Sequence, residues 1–290
     1  MPEKADDRRA RRHPAADWHL DTVAFAPVPS ARRRIEEVGL KVEACRLCPR
    51  LVAWREATAA SPPAAHSGET YWGRPIPGFG DPDASLVVVG LAPAAHGGNR
   101  TGRMFTGDRS GDFLVAALHR SGFANQATSV ARDDGLELRR CWITAAVRCA
   151  PPGNLPSRLE QATCLRYLKD ELDLLTSCKV ILALGAIAFE AVSRLVMVGP
   201  DTAADSNTPA DSNSPADSSS ASGSGARVRR RSGGGQRLRF SHGLEVRDSA
   251  GRTVVCSYHP SQRNVFTGLL SAEMLDAVLT RVAELCTPGR

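Results

Sequence analysis

Leu86-Val-Val-Val-Gly90, running directly into Leu91-Ala-Pro-Ala-Ala-His-Gly-Gly-Asn-Arg-Thr-Gly-Arg-Met-Phe-Thr-Gly-Asp108, is the stretch that decides the fold. An apolar run without a polar side chain, closed by glycine, reads as a strand buried on both faces, as strands of a parallel sheet are. The glycines that follow can sustain neither strand nor helix, so the chain leaves the sheet here in a loop. A helical pattern resumes over Gly111 to Ser121, with Phe113, Leu114, Ala117 and Leu118 as its apolar positions.

The same alternation recurs downstream. Cys141 to Val147 reads as a second strand, Leu159 to Leu175 as a helix, Val180 to Leu184 as a third strand, and Gly185 to about Val196 as another helix. Arg237 to Arg247 is a hairpin partner for a last strand, Thr253 to Tyr258, and Leu269 to Leu285 a closing helix. Upstream, a helix from Ala31 carries Ile35, Val38 and Val42 towards Cys45. Pro49 and a Pro/Gly-rich loop from Ser61 to Pro82 follow, with Trp72, Ile76 and Phe79 plugging the core edge. Regular strand, loop and helix predict an open α/β/α sheet, whose ligands bind beyond the carboxyl ends of the strands. The functional loops are therefore those after Gly90, Val147 and Tyr258.

A chain of 290 residues with 42% apolar content buries a real core. Residues 1–30 read as a disordered basic tail and 31–290 as one domain, interrupted at about 199–235 by a disordered insertion of Asp, Ala, Ser, Pro and Gly. That insertion ends in a basic cluster, Arg227 and Arg229 to Arg231, whose plain reading is a solvated linker. The net charge of +6 and pI near 9.1 favour a polyanion through counterion release without proving one. No apolar run approaches the roughly 18 residues that cross a bilayer, and arginines stand where a signal peptide needs its apolar segment. The expectation is a cytoplasmic protein with no membrane association. In that reducing compartment, eight cysteines read as metal ligands plus core fillers rather than disulfides.

Cys45-Arg-Leu-Cys48 is a C-x2-C turn, and Cys149 and Cys164 stand far downstream. Zinc and a [4Fe-4S] cluster both accept four thiolates, so spacing alone does not choose between them. One close pair with two distant partners departs from the paired turns of a zinc ribbon and favours the cluster. Cys141, Cys178, Cys256 and Cys286 lie in or beside strands and helices and read as core packing.

The loop from Gly90 to Asp108 offers backbone amides at its glycines and charge at Arg100 and Arg103. It matches neither a P-loop nor a dinucleotide fingerprint. Asp108 has the spacing of a helix cap ahead of Gly111. Arg148 to Asn154 follows the second strand. After the last come Tyr258-His-Pro-Ser-Gln-Arg-Asn264, with His259 at a strand's carboxyl end, where a catalytic role outweighs a structural one.

Together the Gly90–Asp108 loop, Ala146-Val-Arg-Cys-Ala-Pro-Pro-Gly-Asn154, His259-Pro-Ser261 and the four cysteines resemble the family-5, iron-sulfur branch of the uracil-DNA glycosylase superfamily. The likeness spans residues 45 to 285 apart from the insertion. It implies a three-layer α/β/α sandwich with a central four-stranded parallel sheet. It also implies a structural [4Fe-4S] cluster on Cys45, Cys48, Cys149 and Cys164. The activity implied is that of a monofunctional, monomeric enzyme that flips uracil, hypoxanthine or another deaminated base out of double-stranded DNA and hydrolyses its glycosidic bond.

On that resemblance Phe105 stacks on the flipped base, with Ala92, Pro93 and Ala94 lining its pocket, and His259 donates to the departing base. Other branches place an Asp or Asn to hold water and an Asn to read uracil; here those positions are Ala92 and Ala145. Ala94 replaces a thymine-excluding tyrosine of the family-1 enzymes, which widens the expected substrate range. Asn99, with Asn154 as a second contact, is nominated to hold the water. Arg100, Arg103, Ser261, Arg263 and Asn264 are expected to meet the DNA backbone or groove. A redox protein, a zinc-stabilised nucleic-acid module and a base-binding protein without hydrolysis are the rivals that the residues leave standing.

Overall fold

A computed structural model describes residues 30–196 and 238–287. The basic tail and the 199–235 segment, with its arginine cluster, lie outside the described residues.

Helix α1 (Ala31–Glu43) starts where Ser30 Oγ accepts from Arg33 N, and buries Ile35, Val38 and Val42. Helix α2 (Pro49–Ala60) opens on a proline, which tolerates the first turn because the missing N–H would be unpartnered there anyway. Strand β1 (Phe79–Gly80) precedes β2 (Leu86–Gly90), and the short α3 (Gly98–Thr101) and α4 (Arg109–Arg120) follow. Strand β3 (Cys141–Ala145) leads to α5 (Arg158–Leu174), whose Ser157 and Glu160 form a reciprocal capping box. Then come β4 (Val180–Leu184), α6 (Ala186–Val196), β5 (Glu245–Arg247), β6 (Thr253–Ser257), α7 (Gln262–Phe266) and α8 (Ala272–Cys286).

The sheet has six strands in the order β1-β3-β2-β4-β6-β5. Its inner four are parallel, and β1 and β5 pair antiparallel at the two edges, so the expectation of a purely parallel four-stranded sheet is corrected to a mixed one. The physical reason is local. Phe79–Gly80 is too short to signal a strand and takes its pairing from β3 beside it, whereas Glu245–Arg247 pairs with β6 as the hairpin partner expected of Arg237 to Arg247.

Side-chain alternation splits the core. Leu86 and Val88 pack with α4 and α8 on one face, while Val87 and Val89 pack with α5 and α6 on the other. Apolar burial of this kind supplies most of the drive to fold. Helix α2, the short α3 and the helical form of α7 are elements the sequence reading did not anticipate. The other helices begin and end within a few residues of expectation, and Ile76, Trp72 and Phe79 pack on the core as expected.

Candidate active site

Parallel strands leave their carboxyl ends on one edge of the sheet, and that edge collects the three loops. Past β2 and β3 the backbone continues to pair, Ala146 N with Gly90 O at 2.9 Å and Val147 N with Leu91 O at 3.0 Å. The glycine loop is thereby held beside the Arg148–Asn154 segment.

Phe105 is buried with φ at 50°, a left-handed conformation rare for an aromatic residue. Gly90 makes room for it, since a Cβ there would stand 2.8 Å from the Phe105 ring. Asp108 caps α4 by accepting from Gly111 N at 2.9 Å, the role its spacing suggested, and burial raises its carboxyl pKa.

His259 sits beyond β6, its ring centroid 6.0 Å from that of Phe105 and inclined by 31°. Three contacts position this turn. Asn264 Nδ2 donates to His259 O at 2.9 Å, Tyr258 N donates to His242 Nδ1 at 3.2 Å, and Gly185, at φ 91°, leaves space under the His259 Cβ. Burial pulls the His259 pKa down to about 4, so at neutral pH the ring is an uncharged imidazole with one N–H to give.

The remaining expected site residues divide. Pro93 is buried, and Ala92 and Ala94 are partly exposed in the same loop. Asn99 is buried, with Nδ2 donating to Arg55 O at 3.3 Å and Oδ1 without a partner. Asn154 is exposed at φ 57° on a short turn. Ser261 caps α7, and Arg263 is exposed on it.

Arg100 and Arg103 are turned inward. Arg100 donates to Glu69 Oε2 at 2.6 Å, His96 O and Gly107 O. Arg103 is buried, spanning Asp134 at 2.8 Å, Ser129, Thr106 and Arg132 O. Both guanidiniums therefore hold the loop in shape, and the phosphate contact expected of them meets donors already committed. Sequence alone cannot separate a loop-locking arginine from a DNA-facing one, because the carboxylates that claim them, Glu69 and Asp134, lie 31 positions away in each case.

The four spaced cysteines converge. Cys45, Cys48, Cys149 and Cys164 line one cavity with Arg55, Arg148 and Tyr167, around about 330 Å³ of atom-free space that is partly open to solvent. Among the described residues no group of three or more His, Cys, Asp or Glu is set to hold a single metal ion. Burial pushes the Cys149 thiol up to about 11 and Cys164 up to about 12, with the Arg55 and Arg148 charges opposing. The other four cysteines are buried, Cys141 and Cys286 on one face of the sheet and Cys178 and Cys256 on the other, the packing role read for them.

Two features went unread in the sequence. Phe266, on α7 seven positions past His259, is 82% exposed, and Leu269 beside it is 45% exposed. Their only signal is an apolar pair in a short segment with no apolar period. Arg55 is 2% exposed inside the cysteine cavity; within the unanticipated helix α2 it carried no signal at all.

Residues 77–283 match the model of the uracil DNA glycosylase superfamily. Similar proteins include the type-5 uracil-DNA glycosylase of Mycobacterium leprae, 42% identical over 87% of this chain and 95% of its own length. That of Thermus thermophilus is 42% identical over 83% of this chain and 94% of its own. That of Pyrobaculum aerophilum is 43% identical over 82% and 88%.

Proposed function

The chain belongs to the uracil DNA glycosylase superfamily, in its type-5 branch, and from that premise we propose how its residues excise a base and what else they accept. It is a uracil-DNA glycosylase, a hydrolase of N-glycosyl bonds acting in DNA repair. The observation that carries the proposal is the pairing of Phe105 and a neutral His259 across the strand ends.

The base must leave the stack before either residue can reach it, which costs least at a weak pair such as U·G. Stacking on Phe105 then recovers roughly 1 to 3 kcal/mol. As the bond from the sugar C1′ to the base nitrogen breaks, its electron pair moves onto the base and leaves an oxocarbenium-like sugar. His259 donates its single N–H to the base oxygen where that charge gathers, a preorganised donor aimed at the transition state. Water adds to C1′, and its proton is released to solvent or to the departing base.

Asn99 remains the nominee to hold that water, because its unpartnered Oδ1 is an acceptor without another claim. Asn154 is the second polar contact. Ala92, Pro93 and Ala94 leave the pocket uncrowded, which supports hypoxanthine and other deaminated bases alongside uracil. Ser261, Arg263 and Asn264 on the α7 turn meet the backbone of double-stranded DNA. Arg100 and Arg103 are assigned to the shape of the loop instead.

The cysteine cavity fits a [4Fe-4S] cluster. Four thiols from three separate segments line one space, and a buried guanidinium reaches one sulfur. When bound, the cluster supplies a structural pin, joining the turn before α2 to the Arg148–Cys149 loop and to α5. The enzyme is proposed to act as a monomer in the cytoplasm; no helix among the described residues is long and apolar enough to cross a membrane.

Incubation with a U·G duplex, then alkaline cleavage of abasic sites, tests the reading. Strand scission at uracil is expected, and its absence from folded, iron-loaded protein would leave a binding protein without hydrolysis. Anaerobic purification is expected to give a colour near 400 nm; colourless, zinc-loaded protein would replace the cluster by zinc.

A further inference from the structure

Two arginines are buried in the wall of the cysteine cavity, and they are compensated in opposite ways. Arg148 is 1% exposed and makes a two-pronged pair with Glu171, at 3.0 and 2.6 Å, which also accepts from Thr144 Oγ1 and Gly78 N. Its charge is fully answered by a buried carboxylate. Arg55, 2% exposed, has no such partner. The nearest carboxylate, Glu56, stands 3.7 Å away at the surface and is already gripped by Arg46 at both oxygens. Arg55 Nη1 instead donates to Cys149 Sγ at 3.0 Å, both terminal nitrogens lie 3.4 Å from Cys45 O, and Nε has no partner.

A buried guanidinium whose one carboxylate is a distant, half-exposed partner shared with another arginine is poorly compensated, and such a group is costly in a core. Its geometry names the missing anion, since its fork opens onto a sulfur and a carbonyl belonging to two of the four cysteines. We propose that Arg55 is the resident counter-charge of a thiolate-bound iron-sulfur cluster. It is a positioning residue that holds Cys149 by an N–H···S bond and keeps the cluster seated. This rests on the cluster reading given above. Arg148, whose terminal nitrogens are both taken by Glu171 although its Nε is unpartnered like that of Arg55, has no share in that role beyond its backbone N–H, which donates to Cys164 Sγ at 3.3 Å.

The test compares the anaerobically purified full chain with R55M and R55K, measuring iron per chain, the rate of bleaching in excess chelator, and the iron–thiolate stretching bands by resonance Raman. R55M, which keeps most of the stem but removes charge and donors, is expected to bleach about tenfold faster, the scale of one hydrogen bond to a charged group. Its stretching bands should move to higher frequency as the sulfur loses its donor, a change that a merely structural residue would not produce. R55K, charged but without the fork, should fall between. Wild-type bleaching and unshifted bands in R55M overturn the proposal and leave the cluster reading intact. A wild-type chain without iron overturns both. Should R55M fail to fold, R55K decides alone, and wild-type behaviour in it overturns the assignment.

Discussion

At the scale of single residues, the proposed chemistry rests on a histidine that burial keeps uncharged. The His259 pKa is drawn from 6.5 to about 4, so the folded protein binds fewer protons than the unfolded chain between those values. Stability is therefore greatest above about pH 6.5 and declines as the pH falls towards 4. Urea unfolding at pH 7 and pH 5 should show wild type losing more stability than H259A; equal losses would mean the ring titrates normally. Activity should share the assignment, with no limb between pH 6 and 7 traceable to this residue, since a neutral donor needs no proton uptake. H259A should excise uracil at least about tenfold more slowly, with duplex affinity little changed. Single-turnover rates and a binding titration separate the two effects, and an unaltered rate would take His259 out of the mechanism.

Among the elements, the carboxyl ends of β2 and β4 matter most, because each closes in a glycine that lets a side chain lie over it. Gly90 at the end of β2 is the tightest case. In G90A the new methyl would press on the Phe105 ring from 2.8 Å, and the ring, confined at φ 50°, has little room to yield. Overpacking of this kind costs about 1–3 kcal/mol. A lowered melting temperature is expected together with a several-fold fall in kcat/KM on a U·G duplex; full activity would show that Phe105 is not confined to one position over the base. The Arg148–Glu171 pair ties β3 to α5 in the same spirit. R148M should cost about 3–5 kcal/mol in denaturant unfolding, since Glu171 would be left charged, buried and short of donors.

Across the whole molecule, the fold brings the cysteine cavity and the proposed catalytic edge to neighbouring positions. Asn99, in the active-site loop, donates to the main-chain carbonyl of Arg55 in α2, so loop and cysteine cavity share one helix. Exhaustive iron removal should therefore lower the melting temperature and the excision rate together; an iron-free chain of full activity would leave the pin without consequence for the edge. DNA affinity should weaken with salt through Arg263, the arginine still assigned to the backbone. For about one phosphate contact the expected loss is roughly 3-fold between about 50 and about 200 mM salt. A flat response would move recognition away from the phosphates.

By itself the sequence determined the strand-and-helix alternation, because apolar runs and their periods are local properties. It also placed three candidate turns at strand ends of an open sheet and grouped the four cysteines that line one cavity. Tertiary structure alone decided the rest. The edge strand β1 takes its antiparallel pairing from β3, distant in sequence, and nothing in Phe79–Gly80 announces it. Arg100 and Arg103 look identical to DNA-facing arginines until Glu69 and Asp134 are seen to hold them. Arg55 becomes informative only when its want of a buried carboxylate is set beside Cys149, 94 positions away. What a buried charge does depends on which groups surround it in space, and those are fixed by packing between segments that the chain keeps far apart.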